Sequence, residues 1–177
     1  MFSDRLLKSV SDRRRPNPRA GFSLIEMLIV LAIIGVILTF AVPKLTVALR
    51  GARETAAMKA VTTIHTAEVQ YYSAYNRYAV SLQELGPPAN GAEGPSAAGL
   101  IERDLASGDK GGYKYTVAPT PTGYTVTAVP SQYPTSGSVT YFSDQSMGIH
   151  FHKGQEPATV NDPLLGETAA ATQQQSK

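Results

Sequence analysis

Glu26 is the residue whose surroundings most clearly indicate a chemical role. It is the only charged residue between Phe22 and Val42, in a run made otherwise of Leu, Ile, Val, Ala, Phe and Met with one glycine and two hydroxyl residues. A lone carboxylate inside a lipid-embedded helix costs about 2.5–3.5 kcal/mol on insertion scales. We therefore expect Glu26 to have a cationic partner or a function in the membrane.

Histidine is the other residue type that could do chemistry here. His150 and His152 share one face of a predicted strand, and His65 lies on a predicted helix. A metal site would need a third and a fourth ligand at suitable spacing, and the sequence offers none, so we expect no metal site at these histidines. The chain has no cysteine, no glycine-rich phosphate loop and no nucleophile elbow, which argues against an enzyme.

The apolar run around Glu26 is long enough to cross a membrane. At 1.5 Å per residue, a helix from Phe22 to Val42 spans roughly 31 Å, close to the thickness of one hydrocarbon core. Apolar residues are not confined to one face, which predicts a helix embedded in lipid or fully buried. Arginines at 13, 14, 15 and 19 precede the run, and cytoplasmic flanks are the more basic ones, so the residues after Val42 are predicted to face outward.

The charge of the chain is concentrated before this helix. Residues 1–21 contain six basic and two acidic residues, a net charge of +4 within a chain whose total is +2. The remaining residues therefore carry −2, and the basic pI gives no support for binding to nucleic acid.

A second helical pattern begins directly after Pro43. Apolar side chains recur in steps of three and four, which predicts one long helix from Phe22 to about Tyr78, kinked or weakened near Pro43. The stripe consists of Leu45, Leu49, Ala52, Ala56, Ala57, Val61, Ile64, Ala67, Tyr71, Tyr75 and Tyr78. Glu68 is expected to lie mainly off this stripe. The tyrosines at 71, 72, 75 and 78 form an aromatic cluster, which we interpret as packing residues rather than a surface display.

Short strands are predicted after a long connection rich in proline and glycine. Period-two alternation indicates an antiparallel sheet with one face on a core, the other side of which is the Val61–Tyr78 stripe. The predicted strands are Tyr113–Ala118, Gly123–Val129, Val139–Ser143 and Ile149–Lys153. The fold class is therefore α+β, a long N-terminal helix whose first half is transmembrane, packed on a small sheet of about four strands.

The chain accordingly divides into five predicted segments. They are a leader (1–21), a membrane helix (22–42), an amphipathic half of the same helix (43–78), a loop-and-sheet head (79–153) and a flexible tail rich in Pro, Gly, Thr, Ala and Gln (154–177).

The N-terminal segment resembles that of type IV pilins and type II secretion pseudopilins. The resemblance is carried by Gly21, the Phe22-Ser23-Leu24-Ile25-Glu26 run, the apolar helix and Pro43. It implies a fold of the pilin kind, cleavage between Gly21 and Phe22 by a prepilin peptidase, and methylation of the new amine of Phe22 by the same enzyme. Such cleavage would leave an ammonium on Phe22 at the positive end of the helix dipole, so we expect Glu26 to pair with the amine of Phe22 on an adjacent subunit during assembly. We also expect Pro43 to give the helix local flexibility, because proline lacks an amide hydrogen.

The resemblance also implies partners and a location. The partners are the peptidase and methyltransferase, further copies of the chain, related pilins or pseudopilins, an inner-membrane assembly platform and membrane lipid. The subunit would lie in the bacterial inner membrane before assembly, with its C-terminus outside, and afterwards in a periplasmic pseudopilus or an extracellular pilus. The absence of cysteine excludes the disulfide-bounded loop common in major pilins and favours a pseudopilin-like or minor subunit.

Three alternatives stay open at the level of sequence. The Thr39-Phe40-Ala41 triplet could be a signal-peptidase site, although the apolar run is longer than a signal peptide requires and contains Glu26. The chain could be a periplasmic binding module held by one membrane helix that never polymerises. Calcium could bind the loop acids Asp144, Asp162 and Glu167, since several pseudopilins use loop oxygens, although no EF-hand spacing is present.

Overall fold

The computed structural model describes residues 21–166 of the chain, so the predicted leader up to residue 20 and the tail from residue 167 lie outside it. The described residues form a long helix, two short helices and five strands. These are α1 (Leu24–Tyr75), α2 (Leu82–Leu85), α3 (Arg103–Ala106), β1 (Asp109–Lys110), β2 (Tyr113–Thr120), β3 (Gly123–Pro130), β4 (Val139–Asp144) and β5 (Ile149–Lys153). The chain divides into two compact units, one up to Val42 and one from Pro43.

The helix α1 is assigned without interruption through Pro43. It ends three residues before the predicted end because Asn76 adopts a left-handed backbone, with φ at 56°. Asparagine is among the few residues that tolerate this conformation after a helix, and its N–H donates to the Tyr72 carbonyl at 2.8 Å. Tyr78 therefore lies beyond the helix, although its ring returns to stack near Tyr72 and Tyr124.

The five strands follow one another in the sheet in the order β1-β2-β3-β4-β5, and every neighbouring pair is antiparallel. The α+β class and the helix-on-sheet layout are confirmed, and the strand count of about four is corrected to five. The missed strand, β1, has only Asp109 and Lys110, which pair with Lys114 and Tyr113 of β2. Two polar residues cannot show apolar alternation, so the sequence pattern gave no signal for this strand.

The core of the second unit lies between α1 and one face of the sheet. On the helix it includes Val61, Ile64 and Tyr71, each 0% exposed. On the sheet it is formed by alternate residues of β2 and β3, since these point to the same face. Those residues are Tyr113, Tyr115, Val117, Tyr124, Val126 and Ala128. The predicted partnership between the helical stripe and the sheet is confirmed for the part of the stripe from Ala57 onward.

Residues 154–166, which the sequence placed in a flexible tail, return along β5 in the structure. The Phe151 N–H donates to the Pro163 carbonyl at 3.0 Å, and the Leu165 N–H donates to the Ile149 carbonyl at 2.7 Å. Ala158 is 3% exposed. Backbone hydrogen bonds order this stretch although its composition is poor in apolar residues.

Candidate processing and assembly site

The Gly21–Phe22 peptide bond lies outside any helix. Gly21, Phe22 and Ser23 have no regular secondary structure, and all three are exposed. α1 begins at Leu24, and the Ser23 carbonyl accepts the N–H of Met27 at 3.2 Å, which closes the first helical turn. Apart from the chain neighbours of Gly21, no atom of the described residues lies within 4 Å of the place a side chain would take there. Among the described residues, the Gly21–Phe22 bond is therefore exposed and lies before the helix.

Uncovered apolar side chains fill the helix that follows this bond. Every Leu, Ile, Val, Met and Phe from Phe22 to Val42 is between 45% and 84% exposed. The window of highest hydropathy in α1 has a mean hydropathy of 2.8, and none of it is buried. By length and composition this helix can cross a membrane, and burial inside the described residues does not account for its apolar character.

Glu26 lies in the first turn of α1 and is exposed. Within residues 21–166, no side chain makes a hydrogen bond or a salt bridge with its carboxylate. A carboxylate in the first turn interacts favourably with the helix dipole, but this contributes only about 0.3–1 kcal/mol and does not offset the cost of membrane insertion. The described part of the chain therefore supplies no cationic partner for the Glu26 carboxylate.

This N-terminal geometry agrees with what comparison with known proteins found. Residues 16–42 match the prokaryotic N-terminal methylation motif. Neither the comparison with curated proteins nor that with solved structures gives a match.

A helix of membrane length, followed along the chain by a compact α+β unit, fits anchoring in a membrane by the N-terminal helix. The matched motif is the prepilin motif of type IV pilins and pseudopilins. It supports a substrate of prepilin peptidase of the pilin or pseudopilin type, and it implies assembly into filaments. Proteins of this type are structural subunits.

The histidine on α1 is a structural residue that joins the helix to the sheet. His65 is 3% exposed, and its two ring nitrogens lie 2.7 Å from the Tyr124 hydroxyl and 2.8 Å from the Ser143 hydroxyl. Ser143 donates its single proton to the Gly148 carbonyl at 2.7 Å, so His65 Nε2–H must donate to Ser143 and Nδ1 must accept from Tyr124. Burial lowers the pKa of His65, against an opposing effect of the Asp144 charge.

The two histidines of β5 both contact Asp162. His150 Nδ1 donates to the Asp162 carbonyl at 2.6 Å, and His152 Nδ1 lies 3.0 Å from Asp162 Oδ1. The N–H of Thr159 and then the His152 hydrogen bond hold the pKa of Asp162 below its usual range. Over the described residues, no group of three or more histidines and carboxylates is arranged to hold a metal ion.

The three loop acids proposed for calcium are not brought together into a described site. Asp144 caps its own turn, where its Oδ1 accepts the Ser146 N–H at 2.8 Å. Asp162 contacts His150 and His152 of β5, and Glu167 lies outside the described residues.

The tyrosine cluster is partly core and partly surface. Tyr71 is fully buried, and its hydroxyl lies 2.5 Å from the Pro95 carbonyl oxygen and 3.0 Å from a carboxylate oxygen of Glu84. Tyr72 is 44% exposed and stacks on Tyr78 at 4.7 Å. The interpretation as packing residues describes Tyr71 well and Tyr72 only in part.

Glu68 is the polar residue that sequence reasoning misplaced. The pattern of charged residues puts it off the apolar stripe, yet it is 0% exposed, with Oε2 accepting the Ala79 N–H at 2.9 Å. Its Oε1 has no hydrogen-bond partner in the described residues. Burial raises the pKa of Glu68 to about 7. The signal was present in the spacing, because Glu68 lies four residues after Ile64 and three before Tyr71.

Proposed function

We propose that the chain is a structural subunit of a type IV pilus or of a type II secretion-type filament. It is made as a precursor, cut between Gly21 and Phe22 by prepilin peptidase, and methylated on the new amine of Phe22. The observation that carries this proposal is the position of an exposed, non-helical Gly21–Phe22 bond immediately before an uncovered apolar helix. The match of this segment to the methylation motif supports it.

Glu26 is proposed as the assembly residue. Cleavage creates an ammonium at Phe22, next to the positive end of the helix dipole, where it is unfavourable unless an anion is close. A carboxylate 4 Å away at an effective dielectric near 20 contributes about 4 kcal/mol, which is comparable to the cost of placing Glu26 in the membrane. We assign the partner carboxylate to an adjacent subunit, so that the pair forms when subunits assemble.

Pro43 is proposed as the point where the helix can stretch as a subunit leaves the bilayer. Proline has no amide hydrogen, so the Thr39 carbonyl lacks its usual helical partner. The Thr39 hydroxyl bonds the Gly35 carbonyl at 3.0 Å, and the Thr46 hydroxyl bonds the Pro43 carbonyl at 2.8 Å. Neither hydroxyl replaces the missing bond, which leaves this turn weaker than its neighbours.

In the proposed cycle the chain first lies in the bacterial inner membrane, crossing it once with the C-terminus outside. An assembly platform in that membrane then moves it into a filament made of copies of itself and related subunits. The finished filament is a periplasmic pseudopilus or an extracellular pilus.

The test is imaging of filaments together with mass spectrometry of their subunits. Cells expressing the chain with its peptidase should produce filaments whose subunit begins at Phe22 and carries one added methyl group. Cells lacking the peptidase should retain the intact precursor in the membrane and produce no filaments. A membrane-anchored protein that keeps its leader and never polymerises in either strain would contradict the proposal and favour an anchored binding module.

A further inference from the structure

A groove with apolar walls lies on the side of α1 next to the turn between β4 and β5. Its volume is about 400 Å³, and it is lined by Thr62, His65, Thr66, Val69, Gln70 and Met147. Val69 is 44% exposed and Met147 is 55% exposed, so two hydrophobic side chains border the groove without cover from the described residues. None of the lining side chains is a carboxylate, a lysine or an arginine.

The hydroxyls of the two threonines of the groove both bond to the backbone of their own helix. The Thr62 hydroxyl donates to the Met58 carbonyl at 3.2 Å, and the Thr66 hydroxyl donates to the Thr62 carbonyl at 3.1 Å. Because each hydroxyl is turned back onto the helix backbone, the groove is more apolar than its composition indicates.

The backbone of Met147 adopts a strained conformation. Its φ is 64°, in the left-handed region where glycine or asparagine is normally found. The turn is fixed by the Met147 N–H, which donates to the Asp144 carbonyl at 2.9 Å, and by Ser143, which bonds both Gly148 and His65. An exposed methionine at a strained turn position indicates a function for the side chain, because neither the backbone nor solvent exposure favours it.

We infer that this groove, between Val69 and Met147, receives the apolar helix of a second copy of the chain. The inference rests on the proposed function and names the surface that the uncovered helix contacts. Each copy carries one groove and one uncovered helix. The helix has no charged residue from Met27 to Val42, which matches a groove without charged walls. An apolar helix in an apolar groove is a common recognition mode, read by residues spaced three and four apart.

Cysteine cross-linking tests this contact directly, since the natural chain contains no cysteine. One copy would carry Met147→Cys and a co-expressed copy would carry Ile33→Cys, Val36→Cys or Phe40→Cys. Filaments treated with a short thiol cross-linker should give heterodimers with at least one of these helix positions. The matched control is Thr116→Cys, an exposed position on β2 away from the groove, which should give none. Adducts only between two copies of the Met147→Cys variant, or equal adducts with Thr116→Cys, would overturn the inference.

A glycine variant separates the contact from folding. Met147→Gly removes the side chain and also removes the left-handed strain, so its head should unfold at the same or a higher temperature than the wild type. Loss of one buried hydrophobic contact should nevertheless reduce filament yield about tenfold, while Met147→Leu should keep most of it. Wild-type filament yield from Met147→Gly would overturn the inference.

The two proposals fail in different ways. If the wild-type chain is processed and forms filaments but no helix position cross-links to the Met147→Cys variant, the inference is wrong and the proposed function stands. If the wild-type chain is never processed and forms no filaments, both are wrong.

Discussion

The first part of α1 and its part from Ala57 to Tyr71 share one secondary structure and differ in what covers them. In the first part, hydrophobic side chains such as Ile34, 46% exposed, have no cover from the described residues. In the later part, residues such as Ile64 are 0% exposed and pack against the sheet. The head is therefore stabilised by contacts within the chain, whereas the apolar helix needs lipid or other subunits. Part of a helix can thus depend on lipid or on other subunits to cover its apolar side chains.

Removal of the one charge in the uncovered part of the helix should have the largest effect. Glu26→Gln should leave cleavage and the fold of the head unchanged, because the Glu26 carboxylate makes no hydrogen bond or salt bridge with a side chain of the described residues. It should abolish most filament formation, since about 4 kcal/mol of pairing with the Phe22 amine is lost. Subunit mass and filament yield measure the two effects separately. Normal filaments from Glu26→Gln would refute the pairing.

The same substitution at two isoleucines should have different effects in the covered and uncovered parts of the helix. Ile64→Ala should lower the free energy of unfolding of the head by about 2–5 kcal/mol, because it leaves a cavity in the core. Ile34→Ala should change the unfolding of the head by less than about 0.5 kcal/mol, since it removes only an exposed side chain. Denaturant unfolding followed by tyrosine fluorescence gives both values, and equal losses would show that the apolar helix is part of the same cooperative unit.

The buried Glu68 should make the stability of the head depend on pH. Its pKa is about 7 in the folded chain and near 4.5 otherwise, so its contribution to stability is full below about pH 4.5 and is lost as the pH rises through 7. The loss is at most about 3 kcal/mol. Burial is the main cause, with the Glu84 charge adding to it, while the Ala79 N–H and Arg77 oppose it.

The measurement compares the wild type with Glu68→Gln between pH 5 and 8. His65 opposes the trend in the wild type, because its pKa is lowered and the neutral ring is favoured as the pH rises. The difference between the two proteins removes this contribution, and Glu68→Gln should gain relative stability as the pH increases. A difference that is constant with pH would show that Glu68 does not titrate in this range.

The smallest expected effect is at the end of α1. Asn76→Ala should destabilise the head by about 1 kcal/mol, because alanine is less suited than asparagine to a left-handed backbone at this position. Asn76→Gly is the matched control and should be close to neutral. A thermal shift for both variants tests whether this residue sets the boundary of the covered helix.

The sequence predicted the features that depend on local pattern. The apolar run, the glycine before it and the alternation in β2 and β3 each have a period or a composition that can be read without the fold. Three features could not be read this way. β1 forms by pairing with the edge of β2. Residues 154–166 are ordered by backbone hydrogen bonds to β5. The turn at Met147 is fixed by hydrogen bonds of Ser143, one of them to His65. Each depends on residues that are distant in the chain.

The claim that the chain is cut between Gly21 and Phe22 and then assembles can be tested by the intact mass of the subunit, purified from cells that express the peptidase. We expect the mass of a chain that begins at Phe22 and carries one methyl group on its N-terminal amine. A mass that includes residues 1–21, from a protein that stays monomeric in lipid, would contradict the claim. A mass that begins after Ala41 would equally contradict it, because the apolar helix would then be a discarded signal and not the assembly element.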